Sequence, residues 1–281
     1  MISLIRTEFT KAAVRMRSLI IAVLLVGLPT LIVVAINARG DRPSRRGGEG
    51  DGLFRLASQS GLLVPAAVLS VTSGFLLIII AGTLAGDSVA SDSSWGNLRY
   101  VLMRPVPRGR LLAAKAFVAA TLIWAATILV AVAGLVAGIA MFGVHAATVP
   151  GIGGIGGLGG GFTLTTGDLL VRVVAGTAYV AFGFTALLAL GTLFSTLTDT
   201  AASAIGATIG VYIVSEILDS ISQLGVARYG FPTHYLGAWE AMFTQNTYSR
   251  DMIAGVVVQL CYLVVFGTAA LYWFKRKDIR S

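Results

Sequence analysis

Long apolar blocks, separated by short polar connections, occupy most of this chain. Their lengths lie near the roughly 20 residues that an α-helix needs to cross about 30 Å of hydrocarbon. We therefore predict six transmembrane helices, and the predicted fold class is an all-α membrane protein. The spans fall at about residues 18–37, 62–85, 112–144, 169–197, 201–218 and 252–273. With their connections they form a single transmembrane domain over residues 1–281.

Residues 1–17, which precede the first predicted span, are amphipathic. Leu4, Ile5 and Phe9 recur at helical spacing, and basic residues are distributed around them. This pattern predicts an N-terminal interfacial helix that lies in the membrane surface.

A second interfacial segment is predicted at residues 222–250, before the last span. Its sequence YGFPTHYLGAWEAMF is too short and too polar to cross a bilayer. Tyr229, Tyr235 and Trp239 are typical of the aromatic belt at a membrane interface. We expect one or two short helices on the outer side of the membrane.

Composition indicates that the bilayer is the solvent of this fold. The chain is 56% hydrophobic and 12% charged, whereas about a quarter of the residues in a soluble domain are charged. A soluble globular protein is therefore excluded. The net charge of +8 comes from basic residues near the ends of apolar blocks, which favours membrane lipids with anionic headgroups, and not nucleic acid, as the partner.

The distribution of lysine and arginine predicts the orientation in the membrane. With the N-terminus inside, the inner side carries 13 of these residues and the outer side 8. The inner residues are Arg6, Lys11, Arg15, Arg17, Arg99, Arg104, Arg108, Arg110, Lys115, Lys275, Arg276, Lys277 and Arg280. We therefore expect both termini in the cytoplasm and a multi-pass protein of a bacterial cell membrane.

Two glycine-rich connections are predicted to be flexible and not to bind nucleotide. Residues 38–60 are predicted to form a mobile loop because their polar sequence cannot bury apolar surface. Residues 151–161 contain a formal G-x-G-x-x-G, but they join two spans and lack the strand and helix of a dinucleotide site. The chain has no G-x-x-x-x-G-K-[ST] motif. We predict no catalytic, cofactor-binding or metal site on this chain, so any ATP chemistry must belong to a partner.

Two sets of residues in the fifth block are candidates for function. Ala202, Gly206 and Gly210 form a ridge of small residues at i, i+4 and i+8, which suits either a dimer seam or packing within one subunit. Glu216 and Asp219 share a helix face. They are predicted to line the outer part of a substrate path, because ionisable groups inside a membrane are costly. The alternative is a helix that ends near Val214, with both carboxylates at the wet interface.

The connection GDSVASDSSWGNLRYVLMRPVPRGRLLAAK, residues 86–115, carries the most specific pattern in the chain. The general excess of basic residues in cytoplasmic loops would by itself explain the arginines of this connection. Its motif, however, resembles the first cytoplasmic loop in permease subunits of type-2 ABC exporters. The matching positions are Asp92, Gly96, Leu98, Arg99, Pro105, Val106, Arg108 and Lys115. This chain departs from the family pattern in having Asp92 where Glu is usual and Asn97 where Thr is usual.

The resemblance covers nearly the whole chain and implies a transport subunit, not an enzyme. Residues 86–111 would be a cytoplasmic coupling loop with a coupling helix from Asp92 to Met103. The implied contacts with an ABC ATP-binding subunit come from Asp92, Trp95, Gly96, Leu98, Arg99 and Arg108. ATP and Mg would be bound by that partner, and a second permease subunit would complete a homo- or heterodimer.

The apolar walls of the predicted spans favour an amphipathic or lipid-like substrate, such as a drug, an antibiotic or a lipid. The alternative function is an ion-gradient-driven secondary transporter or channel. Such proteins usually carry charged or broken helices near the bilayer midplane. A membrane-embedded enzyme is a third alternative, but no constellation of His, Asp and Glu favours it.

Overall fold

The computed structural model describes residues 5–10, 16–39, 51–94, 107–149, 162–244 and 250–276. The described residues are mostly helical. The α-helices are α1 (Met16–Arg39), α2 (Asp51–Ala57), α3 (Val64–Gly74), α4 (Leu76–Ser94), α5 (Arg108–Phe142), α6 (Thr166–Leu197), α7 (Ala201–Ser220), α8 (Ala241–Thr244) and α9 (Arg250–Arg276). The described residues also form two 3-10 helices, Ser222–Gly230 and Ala238–Glu240, and two strands, β1 (Ala147–Val149) and β2 (Phe162–Leu164).

Five helices are long and apolar enough to cross a membrane: Ser18–Ala38 within α1, and the whole of α5, α6, α7 and α9. Helices α3 and α4 pass the same test together as Val64–Gly74 and Leu76–Asp92, but they are bent by 52°. The described part of the chain therefore has five candidate spans, or six if the bent pair is one span. The prediction of a helical membrane protein is confirmed at this level.

The bend between α3 and α4 lies at Phe75, whose backbone angles (φ −141°, ψ −64°) leave the helical region. The sequence places the end of this span at residue 85, whereas α4 continues to Ser94. The predicted coupling loop, residues 86–111, therefore begins within the helical residues of α4. The serines do not end the helix because Ser88 and Ser91 donate their hydroxyl protons to backbone carbonyls one turn earlier.

Helix α6 is the centre of the bundle and packs against α4, α5, α7 and α9, while α1 packs on α5. Glycines allow the closest approaches. A Cβ on Gly191 of α6 would lie 2.6 Å from the Cβ of Ala85. Likewise, a Cβ on Gly138 of α5 would lie 2.7 Å from the Cβ of Val64. Such small residues let helix backbones approach closely in lipid.

The predicted mobile loop at residues 38–60 ends in helix α2, where Leu53, Leu56 and Ala57 are buried. The prediction is therefore wrong for residues 51–57, because these apolar side chains join the core. Residues 40–50 and the glycine run 151–161, with its predicted flexible loop, lie outside the described residues. Strands β1 and β2, which flank the glycine run, pair antiparallel, with Thr148 opposite Thr163.

The segment predicted to be outer and interfacial contains three short helices in its described part, residues 222–244, where the sequence predicted one or two. Its aromatic residues differ from the prediction of an interface belt. Tyr229 is 56% exposed, whereas Tyr235 is 7% and Trp239 1% exposed. Trp239 is buried because Gly176 of α6 leaves room for its ring, and a Cβ at Gly176 would lie 2.9 Å from that ring. In the predicted N-terminal interfacial helix, residues 5–10 are helical.

Candidate functional site

A buried lysine connects three separate parts of the chain. Lys115 Nζ lies 2.6 Å from Asp92 Oδ2 and 3.1 Å from Glu8 Oε2. The side chains of Lys115, Asp92 and Glu8 are only 5%, 11% and 13% exposed. Lys115 belongs to the start of α5, Asp92 to the end of α4, and Glu8 to the helical segment 5–10. We call these three residues the lysine cluster.

The same end of α4 is also attached to α6. Ser195 Oγ, whose side chain is fully buried, accepts hydrogen bonds from the backbone N–H groups of Val89 (2.9 Å) and Ala90 (2.8 Å). One hydroxyl thus contacts two successive backbone donors of another helix. Together with the lysine cluster, this contact fixes the end of α4 relative to α5 and α6.

Arg108 joins the start of α5 to the end of α9. Its Nη1 donates a hydrogen bond to the Lys275 carbonyl at 3.2 Å. Trp95, Gly96, Leu98 and Arg99, the remaining candidates for ATPase coupling, lie outside the described residues. Of the proposed coupling loop, the structure therefore describes both ends, which hold Asp92 and Arg108.

Sequence reasoning found Asp92, Lys115 and Arg108 in the loop motif but missed Glu8. A signal for Glu8 existed, since it is the single acidic residue among the first 40. An isolated acidic residue in a basic segment is a natural partner for a buried lysine, because an unpaired charge is costly in a low-dielectric interior. Ser195 carried no comparable signal, because serine is common in membrane helices.

A second polar cluster lies at the opposite end of the bundle, about 27 Å along α7 from its first residue. His234 Nδ1 is 2.6 Å from Asp219 Oδ1, and Arg228 Nε is 3.6 Å from the same oxygen. The His234 ring lies between those of Tyr229 and Tyr235, with centroids at 5.1 and 4.8 Å and nearly perpendicular planes. We call His234, Asp219 and Arg228 the histidine cluster.

Asp219 and Glu216, the two candidates for a substrate path, have different surroundings in the structure. Asp219 is half-buried and contacts His234, whereas Glu216 is exposed and makes no hydrogen bond or ion pair with the described residues. Helix α7 continues to Ser220. The alternative in which the helix ends near Val214 is therefore wrong, and both carboxylates belong to the last two turns of α7.

Neutral hydrogen bonds attach the irregular segment 221–244 to the helices. Tyr179 of α6 donates to the Tyr235 carbonyl (2.8 Å), and Gln259 and Tyr262 of α9 donate to the carbonyls of Pro232 (2.7 Å) and Gly230 (2.8 Å). Burial and then the nearby Asp251 carboxylate raise the pKa of the Tyr235 phenol, so this group stays neutral.

The ridge of small residues in α7 faces away from the rest of the described chain. Ala202 and Gly206 are exposed and Gly210 is half-buried. A Cβ added at Gly206 or Gly210 would meet no atom of the described chain within 4 Å. The opposite face of α7 carries the buried residues Ala204, Thr208, Tyr212 and Ser215. Within the described residues, packing inside one subunit does not use this ridge.

Over the described ranges, no group of three or more His, Cys, Asp or Glu side chains is arranged to hold a metal ion. One known protein family matches most of the chain. A family model described as "Protein of unknown function (DUF2705)" matches residues 54–280. The chain belongs to this family. The part that matches DUF2705 includes Asp92, Lys115, Asp219 and His234, whereas Glu8 precedes it. No curated protein matches the chain.

Proposed function

We propose that this DUF2705 protein is the membrane-spanning permease subunit of an ABC exporter. It would move an amphipathic or hydrophobic substrate, such as a drug, an antibiotic or a lipid-like molecule, out of the cytoplasm. The energy would come from ATP hydrolysed with Mg on a separate partner subunit. This function rests on the resemblance of residues 86–115 to the coupling loop in permease subunits of type-2 ABC exporters. It also rests on the contacts at the two ends of that loop.

The observation that carries the proposal is the ion pair between Lys115 and Asp92. It joins the two helices from which the loop extends, and Glu8 adds the N-terminal segment. A displacement of the loop by a partner protein would therefore move α4, α5 and the N-terminal segment together. Transport requires two states with different substrate affinity, and a rigid connection of this kind transmits movement from the partner to the spans.

The coupling helix is tested through its apolar residues. Trp95 and Leu98 are three apart, which puts them on one helix face, and buried aromatic residues often contribute about 2 kcal/mol or more to an interface. Trp95→Ala with Leu98→Ala should reduce co-purification of the ATPase with tagged permease. If the loop serves topology alone, this double variant should lose little ATPase, whereas neutralising Arg99, Arg104 and Arg108 should disturb membrane insertion. Full retention of the ATPase by the Trp95 and Leu98 double variant contradicts the proposal.

A permease dimer is supported by the open ridge on α7. Gly206→Ile would separate the backbones of two such helices and should convert dimers to monomers in detergent. Gly267→Ile is the matched control, because a Cβ on Gly267 of α9 also has no neighbour within 4 Å of the described chain. If both variants stay dimeric, the ridge is not the seam.

The bend of 52° between α3 and α4 favours the second candidate, an ion-gradient-driven secondary transporter or channel. Broken helices often form ion and substrate sites in secondary transporters. Transport of a fluorescent amphipathic dye into inverted vesicles distinguishes the two functions, because the cytoplasmic side of the membrane faces the medium there. Uptake that needs ATP and persists with a protonophore supports the exporter, whereas uptake driven by an imposed proton gradient without ATP supports the alternative.

A further inference from the structure

Helix α9 ends against the start of α5 at a small apolar contact. Phe274 of α9 is only 2% exposed and forms a buried cluster with Leu111 and Leu112 of α5 and with Val89 of α4. The last turn of α9 is therefore held on the helix bundle. The residues that follow Phe274 on this turn have a fixed position relative to α5.

Basic side chains surround this contact. Arg108 Nη1 of α5 donates to the Lys275 carbonyl at 3.2 Å, and a Cβ on Gly109 would lie 3.8 Å from Lys275 Cε. Arg276 Cζ lies 4.3 Å from the centroid of the Tyr272 ring. We call Arg108, Lys275 and Arg276 the basic patch. Two helices that are far apart in the sequence thus bring three cations to one place.

Two cations of the basic patch have no counter-charge among the described residues. Lys275 and Arg276 are exposed, and neither forms an ion pair with a described carboxylate. Lys115, also on α5, differs in having two carboxylates beside it. Like charges that are held close together repel one another. The basic patch therefore offers a favourable position for an anion from outside the described chain.

The apolar surface next to the basic patch indicates which kind of anion fits. Val265, Tyr272 and Arg276 are seven and four residues apart, so they lie on one face of α9. Val265, Tyr272 and Trp273 are 58%, 51% and 52% exposed. Helix α9 is a candidate span, and exposed Tyr and Trp beside basic residues at the end of a span are typical of the headgroup level. This face therefore carries cations at the headgroup level and apolar surface at the level of acyl chains.

We propose that the basic patch binds an anionic phospholipid. The Arg276 guanidinium donates hydrogen bonds to two oxygens of the lipid phosphate, a geometry that arginine favours. Its cation–π contact with Tyr272 positions it for this contact, and the Lys275 ammonium supplies a second positive charge. An acyl chain lies along Tyr272 and Val265. The bound lipid reduces the repulsion within the basic patch and so holds the end of α9 on α5.

Two other anion sources fit the surface less well. Phosphatidylcholine also has a phosphate, but its choline group brings a positive charge to the same cations. A soluble anion such as inorganic phosphate makes no use of the exposed apolar surface on this face of α9. Lipid binding does not depend on the proposed transport function, because it is measured on the purified chain without an ATPase.

The test uses native mass spectrometry of the full chain in a neutral detergent, titrated with lipids that have identical acyl chains. Palmitoyl-oleoyl phosphatidylglycerol should bind in a saturable manner and more tightly than palmitoyl-oleoyl phosphatidylcholine. Arg276→Gln should weaken binding of phosphatidylglycerol about fivefold, and Lys275→Gln combined with Arg276→Gln about thirtyfold, because each basic residue near an anionic headgroup contributes a similar factor.

Two controls separate a binding site from a general effect of charge. Arg250→Gln removes an exposed cation at the opposite end of α9 and should leave binding of phosphatidylglycerol unchanged. Inorganic phosphate at millimolar concentration should not displace the lipid, because it has no acyl chain.

Equal binding of phosphatidylglycerol and phosphatidylcholine to the wild-type chain overturns the proposal, whatever the folding of the variants. So does an equal loss of binding with Arg250→Gln, which would show a general attraction between charges and no site. Displacement by inorganic phosphate overturns it as well, because the patch would then bind a soluble anion. None of these results bears on ATP-coupled export, so this site and the proposed function fail separately.

Discussion

The two ends of the helix bundle are held by different kinds of interaction. At the end of α4, the lysine cluster joins charged side chains that are almost fully buried, with Lys115 between two carboxylates. At the other end of the bundle, the irregular segment 221–244 is held by neutral side chains that donate to backbone carbonyls, by Arg172, which donates to the Met242 carbonyl, and by the histidine cluster. The charged histidine cluster is also more exposed than the lysine cluster.

The difference indicates where the protein is rigid and where it opens. Removing one partner of a buried ion pair costs about 3–5 kcal/mol, whereas a neutral hydrogen bond contributes about 0.5–1.5 kcal/mol. Segments with short elements and few strong contacts open locally at lower free energy than the core. We therefore expect the lysine cluster to transmit force and the irregular segment to move.

The largest expected effect concerns which end of the helix bundle faces the cytoplasm. The labelling that tests it should be complete at one site and absent at the other. In a Cys261→Ala background, which removes the exposed native cysteine, impermeant maleimide added to intact cells should label Arg45→Cys and not Ser94→Cys. The reason is the excess of basic residues on the inner side. The reverse labelling would show that the topology is inverted. The lysine cluster would then lie outside the cell, where no ATPase could dock.

The second prediction concerns the lysine cluster itself. Lys115→Met leaves Asp92 and Glu8 without their common cation, and the variant should lose about 3–5 kcal/mol of stability. Thermal unfolding in detergent measures the loss. Arg110→Met is the matched control, because Arg110 is an exposed cation on the same helix, and it should change stability by no more than about 0.5 kcal/mol.

A double-mutant cycle sharpens this result. Asp92→Asn combined with Lys115→Met removes both charges of the closer pair, so the double variant should be less destabilised than the sum of the single variants. Additive losses would show that Lys115 and Asp92 do not interact in solution. The inference of a rigid connection between α4 and α5 would then be wrong.

Sequence reasoning succeeded where the bilayer dictates the pattern. The apolar blocks of α5, α6, α7 and α9 are visible because every span must satisfy its backbone internally and face lipid or other helices. It failed where tertiary contacts override composition. The polar residues 86–91 were predicted to be the start of a connection, but α4 continues through them, and Ser195 and internal serine bonds stabilise this part of the helix.

The candidate sites show the same limit. The loop motif identified Asp92 and Lys115, but only the structure brings Glu8 to them. Trp239 has the composition of an interface belt, and its burial depends on Gly176 in a helix more than 60 residues away. Such long-range pairings leave no periodicity in the chain, so no local pattern predicts them.

A smaller effect is expected in the histidine cluster. Asp219→Asn removes the charge that contacts His234 and Arg228, and should cost about 1 kcal/mol because these groups are partly exposed. Glu216→Gln should leave stability unchanged within about 0.5 kcal/mol. If Glu216 lines the substrate path, Glu216→Gln should nevertheless reduce export of the dye. Wild-type export by both variants would remove these residues from the path.

The smallest predicted effect tests whether the irregular segment opens more readily than the lysine cluster. Tyr179→Phe deletes one of the two donors to the Tyr235 carbonyl and leaves it only the bond from the Ala238 backbone N–H. A loss of about 0.5–1.5 kcal/mol corresponds to amide exchange that is about two to twelve times faster when exchange follows the opening equilibrium. Hydrogen exchange with mass spectrometry should show this increase in residues 221–244 and no change in α4.

Tyr229→Phe, which alters an exposed tyrosine of the same segment, is the control. An equal increase in α4 would mean that the two ends open together, and the contrast between a rigid end and a mobile end would fail.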